Sequence, residues 1–202
     1  MGTTSTSPDR AAAEAAVAAL LEAIGAPTRS DPELVNTPAL ASAALIDELL
    51  DGYRVDPRAI LRDGGLAGAP GLVVLTGIRY VSMCPHHLLP SAGVAHLGYV
   101  SRGRVAGLGA LVRVVDAFAH RLILQEALGA AIAREIMSGL DAAGAGVVLV
   151  ARHACLSSRG VRQSDASVIT ESFAGTLELD SAERERFTRA VSLAARTAEP
   201  SE

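Results

Sequence analysis

Residues 72–90 read LVVLTGIRYVSMCPHHLLP. The part from 72 to 84 is rich in β-branched residues and predicts a strand. It ends on Cys84-Pro85-His86-His87. Before residue 72 the chain is built of helix formers, and after it strand-like stretches recur. The reading of the fold therefore turns at this point, and the chemistry turns on the cysteine that ends the strand.

The other cysteine lies in His153-Ala154-Cys155, so the two segments hold both cysteines and three of the five histidines. Zinc favours Cys sulfur and His nitrogen in tetrahedral geometry, and a catalytic site keeps three protein ligands and one open position. Cys84 and His87, three apart, can share one face of a turn, and Cys155 can add the third ligand from a neighbouring strand. A metal there lowers the pKa of its water to roughly 7. His86 and His153 flank the ligands and are free to act as acid and base. A bare CxxH pattern is also met by buried thiols and surface imidazoles; here each cysteine shares its segment with histidine.

Working outward, residues 1–9 predict a disordered tail. Residues 10–24 predict a helix with Val17, Leu20, Leu21 and Ile24 on one face, stopped by Gly25. Thr37-Pro38 reads as a helix start, with Thr37 as cap and Pro38 at the first helical position. That helix runs to about residue 50, and Asp56-Pro57 opens a short turn of helix through residue 61. The Gly/Ala/Pro stretch 64–71 reads as a loop and as the boundary between an N-terminal helical region, 10–70, and a main domain, 71–199. Within the latter, residues 92–100 predict a strand, 101–104 a turn, and 105–106 a returning piece. Residues 111–140 predict one long helix. Residues 144–155 predict a buried strand, 156–165 a polar loop, and 166–179 the last strand. Ser181 caps a final helix to about residue 196. This order predicts an α+β fold with a mainly antiparallel sheet.

Composition narrows the function. Half of the residues are apolar, but only 3% are aromatic, so the core is aliphatic. The net charge is −4 with no basic block, which argues against nucleic acid as a partner. All 18 basic residues are Arg and none is Lys. No apolar run reaches membrane-spanning length, and the N-terminal stretch lacks a signal-peptide pattern. Two cysteines do not make a disulfide scaffold, so a cytoplasmic chain with reduced thiols is expected.

The chain resembles the GTP cyclohydrolase I family. The resemblance is carried by Tyr80-Val81-Ser82-Met83-Cys84-Pro85-His86-His87-Leu88-Leu89-Pro90, by Arg113-Val114-Val115-Asp116, by Leu124-Gln125-Glu126, and by His153-Ala154-Cys155 with Arg159-Gly160-Val161. It implies the tunnelling fold, an antiparallel sheet with long helices packed on one face and an N-terminal helical extension. It also implies a homo-oligomer, a toroidal decamer with sites between subunits. Its zinc ligands fall on Cys84, His87 and Cys155. Its reaction opens the imidazole ring of GTP at C8, releases formate and gives dihydroneopterin triphosphate. The substrate-binding positions it implies are Gln125 and Glu126, the latter reading the guanine edge, and Arg113 and Arg159, which suit phosphate.

The chain departs from the family pattern where a Ser-Lys pair is usual, at Gly109 and Ala110. The Lys-free composition would put Arg, not Ala, at position 110, so a phosphate-binding charge is lost. Pro85 replaces an acidic residue, and His120 stands where Arg is common. Three readings follow: an ordinary GTP cyclohydrolase I; a diverged one acting on a less phosphorylated guanine compound or stopping at a ring-opened product; and a non-catalytic purine- or pterin-binding paralogue. The retained ligands and both flanking histidines favour the enzymes.

Overall fold

A computed structural model describes residues 7–28 and 30–197, so most of the expected N-terminal tail lies outside the described residues. Four strands form the main sheet: β2 (Gly71–Met83), β3 (Pro90–Ser101), β5 (Gly144–His153) and β6 (Val168–Gly175). They run antiparallel in the order β2-β3-β5-β6. This is the α+β architecture with an antiparallel sheet that the sequence predicts. A second, two-stranded sheet pairs β1 (Gly65–Ala67), where the sequence suggested only a loop, with β4 (Arg104–Ala106), which includes the returning piece expected at 105–106.

The helices α3 (Pro57–Asp63), α4 (Leu108–Ala119) and α5 (Gln125–Leu140) contribute to one continuous core. Leu61, Leu111, Val114, Leu128, Ile132 and Ile136 meet Leu97, Tyr99, Val147 and Leu149 there, all almost completely buried. These positions recur at helical spacing on the helices and at every second residue on the strands, which puts them on one face of each. The opposite sheet face carries a smaller cluster around Phe187 of α8 (Ser181–Thr197). Phe187 lies over Gly98, where a Cβ would strike its ring, and beside Gly146, where one would approach the ring to 3.1 Å. Long helices thus occupy both faces of the sheet, α4 and α5 on one and α8 on the other.

Several local expectations change. The stretch 111–140 is two helices, not one, broken at residues 120–124. Strand β5 stops at His153, and Cys155 sits in the short helical turn α6 (Ala154–Ser157). Strand β6 ends at Gly175 and gives way to α7 (Thr176–Leu179). The cap of α8 is Asp180, whose Oδ1 accepts from the Ala182 amide at 2.8 Å. Asn36, not Thr37, stands at the cap position of α2 (Thr37–Ala44), with no side-chain bond. The helix α1 (Arg10–Ala23) lies on α2 and is tied by a bidentate Arg10–Asp47 pair to the π-helical turn Leu45–Leu49 that continues α2. Among the described residues, no helix is long and apolar enough to cross a membrane.

Candidate functional site

Strand β2 delivers Cys84 to a tight turn that returns as β3. The Cys84 amide donates to the Leu89 carbonyl at 2.9 Å, and the Leu88 amide donates to the Cys84 carbonyl at 3.0 Å. Leu88 closes this turn with φ of 53°, a left-handed conformation that a side chain with a Cβ adopts at a cost. The register Ser91↔His153 then brings the end of β5, and Cys155 just beyond it, alongside the turn.

The result is a cluster. One ligand atom each from Cys84, His87 and Cys155 lies within 4.8 Å of the others, and Cys84 Sγ is 3.9 Å from His87 Nδ1. A tetrahedral zinc, with bonds of about 2.3 Å to sulfur and about 2.0–2.1 Å to nitrogen, spaces such atoms roughly 3.6–3.8 Å apart. The three residues fit that ion with a contraction of about 1 Å at most. The chemistry of the donors agrees: burial, and then the neighbouring Cys84, push the Cys155 thiol above its ordinary value. Two adjacent thiolates are unfavourable without a cation, and a divalent ion removes the conflict. Arg159 pulls the Cys155 thiol the other way, so its positive charge is felt at the cluster.

Both remaining histidines of these segments stand at this end of the sheet. His86 is exposed, with its ring edge-on to that of His87, centroids 6.2 Å apart. His153 is half-buried, and its Nε2 lies 2.7 Å from Gln125 Oε1. Gln125 and Glu126 reach this region because of the break between α4 and α5. The Ile123 amide donates to the Met83 carbonyl at 3.3 Å, and the Leu122 amide donates to the Tyr53 hydroxyl at 3.1 Å. These bonds start α5 beside the end of β2. Glu126 is exposed in its first turn, where a carboxylate is favoured by the helix dipole. Gln125, by contrast, is 6% exposed.

Arg113 does not share that surroundings. It lines a cleft of about 340 Å³ with Asp51, Gly52, Asp116 and His120. Gly52 is required there, since a Cβ would lie 2.6 Å from the Ala117 carbonyl oxygen and 2.7 Å from that of His120. His120 Nδ1 is 2.7 Å from Asp51 Oδ1. Burial holds the Asp116 carboxyl above its ordinary range, with His120 opposing and Asp51 reinforcing the shift. Ala110 is 3% exposed and faces Gly64 rather than the cleft. Sequence reasoning did not single out Thr170, whose Oγ1 accepts from the Gln125 amide at 3.2 Å. An alternating strand gives no local sign of such a contact.

A sheet that gathers two thiols and three imidazoles at one end defines an α+β protein with a candidate metal-dependent hydrolytic centre. The family profile for GTP cyclohydrolase I matches residues 13–192. GTP cyclohydrolase 1 of Dehalococcoides mccartyi is 38% identical over 184 residues, covering 89% of this chain and 95% of that protein. GTP cyclohydrolase 1 of Chromobacterium violaceum is 39% identical over 184 residues, covering 91% and 88%. A crystal structure of archaeosine synthase QueF-Like in the apo form aligns with a TM-score of 0.44 at 20% identity, over 54% of this chain and 97% of that one. The chain belongs to the GTP cyclohydrolase I family, and it is accordingly a hydrolase.

Proposed function

We propose that the chain is a zinc-dependent GTP cyclohydrolase that opens the guanine imidazole ring at C8, releases formate and yields dihydroneopterin triphosphate. The observation that carries this reading is the Cys84–His87–Cys155 cluster with ligand atoms within 4.8 Å of one another. Zinc, when bound, supplies a water acidic enough to be a nucleophile at neutral pH. The chain's own residues do the rest. His86 and His153 flank the ligands and are the groups that move protons, one of them to N7, which makes C8 more electrophilic. Glu126 offers an exposed carboxylate, and one carboxylate accepts both parallel N–H groups of the guanine edge. Arg159, exposed and electrically coupled to Cys155, suits a phosphate oxygen near the same site. Exposed Leu88 and Leu124, next to His87 and Gln125, support a homo-oligomer in which a neighbouring copy covers the site, in the decameric form that the sequence resemblance implies.

A second reading has its own observation. Arg113 shares its cleft with two carboxylates, Asp51 and Asp116, and Ala110 is turned away from it. That cleft has no excess positive charge for a triphosphate, which favours a less phosphorylated guanine compound or a ring-opened product. The test is incubation of the zinc-loaded protein with GTP, GMP, guanosine and guanine, following formate and pterin absorbance together. Formate with pterin from GTP supports the first reading. Formate without pterin, or only from the smaller compounds, supports the second. No formate from any of them overturns both.

A further inference from the structure

Every hydrogen-bonding atom of the buried Gln125 amide is engaged inside the protein. Its Nε2 faces the Val168 carbonyl at 3.0 Å, the Leu149 carbonyl at 3.2 Å and Thr170 Oγ1 at 3.2 Å. Its Oε1 lies 2.7 Å from Nε2 of His153. Two of these partners are backbone carbonyls, which only accept. They settle the orientation of the amide, because the opposite orientation would set oxygen against oxygen twice. With the nitrogen facing the strands, the oxygen must face His153, and Oε1 only accepts. His153 must therefore carry hydrogen on Nε2, which in a neutral ring leaves Nδ1 bare.

We infer that Gln125 is a positioning residue for His153, not a substrate contact: it holds the imidazole in one orientation and one tautomer and presents Nδ1 to the site. The strands β5 and β6, through Leu149, Val168 and Thr170, act as the jig that holds the amide. A buried side chain with both ends spent has no donor left for guanine, whereas its neighbour Glu126 is exposed. The inference rests on the reading of His153 as a proton carrier.

The test compares the zinc-loaded parent chain with Gln125→Met, His153→Ala and the double variant, using GTP as substrate. Loss of an orienting partner of this kind lowers activity about 10–100-fold. The expected result for Gln125→Met is a fall in kcat of that size, with KM within about 2-fold and zinc content unchanged. In the His153→Ala background the same substitution should cost nothing more. Nitrogen-15 spectra of ring-labelled histidine should show His153 as the Nε2–H tautomer in the parent and a tautomer mixture in Gln125→Met. A raised KM with kcat retained makes Gln125 a substrate contact and overturns the inference. So does an equal loss with and without His153. An Nδ1–H tautomer in the parent chain overturns it whatever the variants do, including a variant that does not fold. Full activity of His153→Ala sinks the proton-carrier reading instead, and the parent spectrum still reports on Gln125 by itself.

Discussion

Replacing Cys155 with serine should uncouple the chain from zinc, and the size of the effect follows from the geometry. The three ligand atoms already lie within 4.8 Å, against the roughly 3.6–3.8 Å of a tetrahedral site, so little reorganisation is needed. Most of the binding free energy should then appear as added stability of the folded chain. With free zinc at about 1,000 times Kd, that is about 4 kcal/mol. For a chain of 202 residues, each 1 kcal/mol moves Tm by about 2–4 °C, so zinc should raise Tm by about 8–16 °C. Serine keeps the shape but replaces a thiolate with a weak neutral oxygen. If affinity falls by about 100-fold, the same zinc concentration is only about 10 times Kd and stabilises by about 1.4 kcal/mol. The assay is a thermal melt of chelator-treated protein across a zinc titration, read beside metal content by colorimetric displacement. A parent chain whose Tm ignores zinc, or a Cys155→Ser chain that retains the full shift, refutes the three-ligand site.

Phe187→Ala should cost about 3–5 kcal/mol, because it empties the cluster that α8 forms over Gly98 and Gly146; a urea midpoint within experimental error of the parent refutes that packing. Asp116→Asn should stabilise the chain at neutral pH. Burial, the largest effect, holds this carboxyl above its ordinary value of 3.8, so the folded chain holds the proton more tightly than the unfolded one. The stability gained from that proton is complete below 3.8 and lost as pH rises through the folded value. Urea midpoints from pH 4 to 8 should therefore fall less steeply in the variant, and an unchanged profile counts against this account. Ala110→Lys should destabilise by about 2–4 kcal/mol, since position 110 is buried against Gly64. A stable Ala110→Lys chain with a several-fold lower KM for GTP would show that the position faces the phosphate end after all.

The cluster was legible because residue type spells out its chemistry. Few side chains ligate zinc, and both cysteines of the chain sit within three residues of a histidine. Strand β2 was legible for a similar reason, as β-branched residues fill it. The break between α4 and α5 was not. Val115, Phe118 and Leu122 keep the helical period across it, with no glycine or proline to interrupt them. What stops α4 is tertiary: Leu122 is held by Tyr53, 69 residues away, and Ile123 by Met83. The short strand β1 escaped notice because three residues rich in glycine and alanine carry no strand signal. Cys155 was expected on a strand because the apolar run of β5 leads up to it through Ala151, and nothing local marks His153 as the last strand residue.

That break has consequences for how the site is built. A continuous helix would carry residues 120–126 straight past the end of β2, rising about 1.5 Å per residue. Instead Arg121 turns back, its Nε bonding the Gly52 and Ala117 carbonyls at 3.1 and 2.8 Å and its guanidinium lying over Phe118. Residues 122 and 123 take extended-type bonds to β2 and to Tyr53, and α5 restarts with Gln125 at its first position. One residue is thereby buried against β5 and β6 while the next faces solvent. Gln125 and Glu126 are adjacent in sequence and similar in shape, yet the restart divides them into an inward anchor for His153 and an outward carboxylate. Under the roles proposed for Glu126 and Gln125, substrate recognition and the orientation of His153 both depend on where this helix begins. On that proposal Tyr53→Phe, which removes the hydroxyl that holds the Leu122 amide, should raise KM and lower kcat together, and unchanged kinetics refute the link.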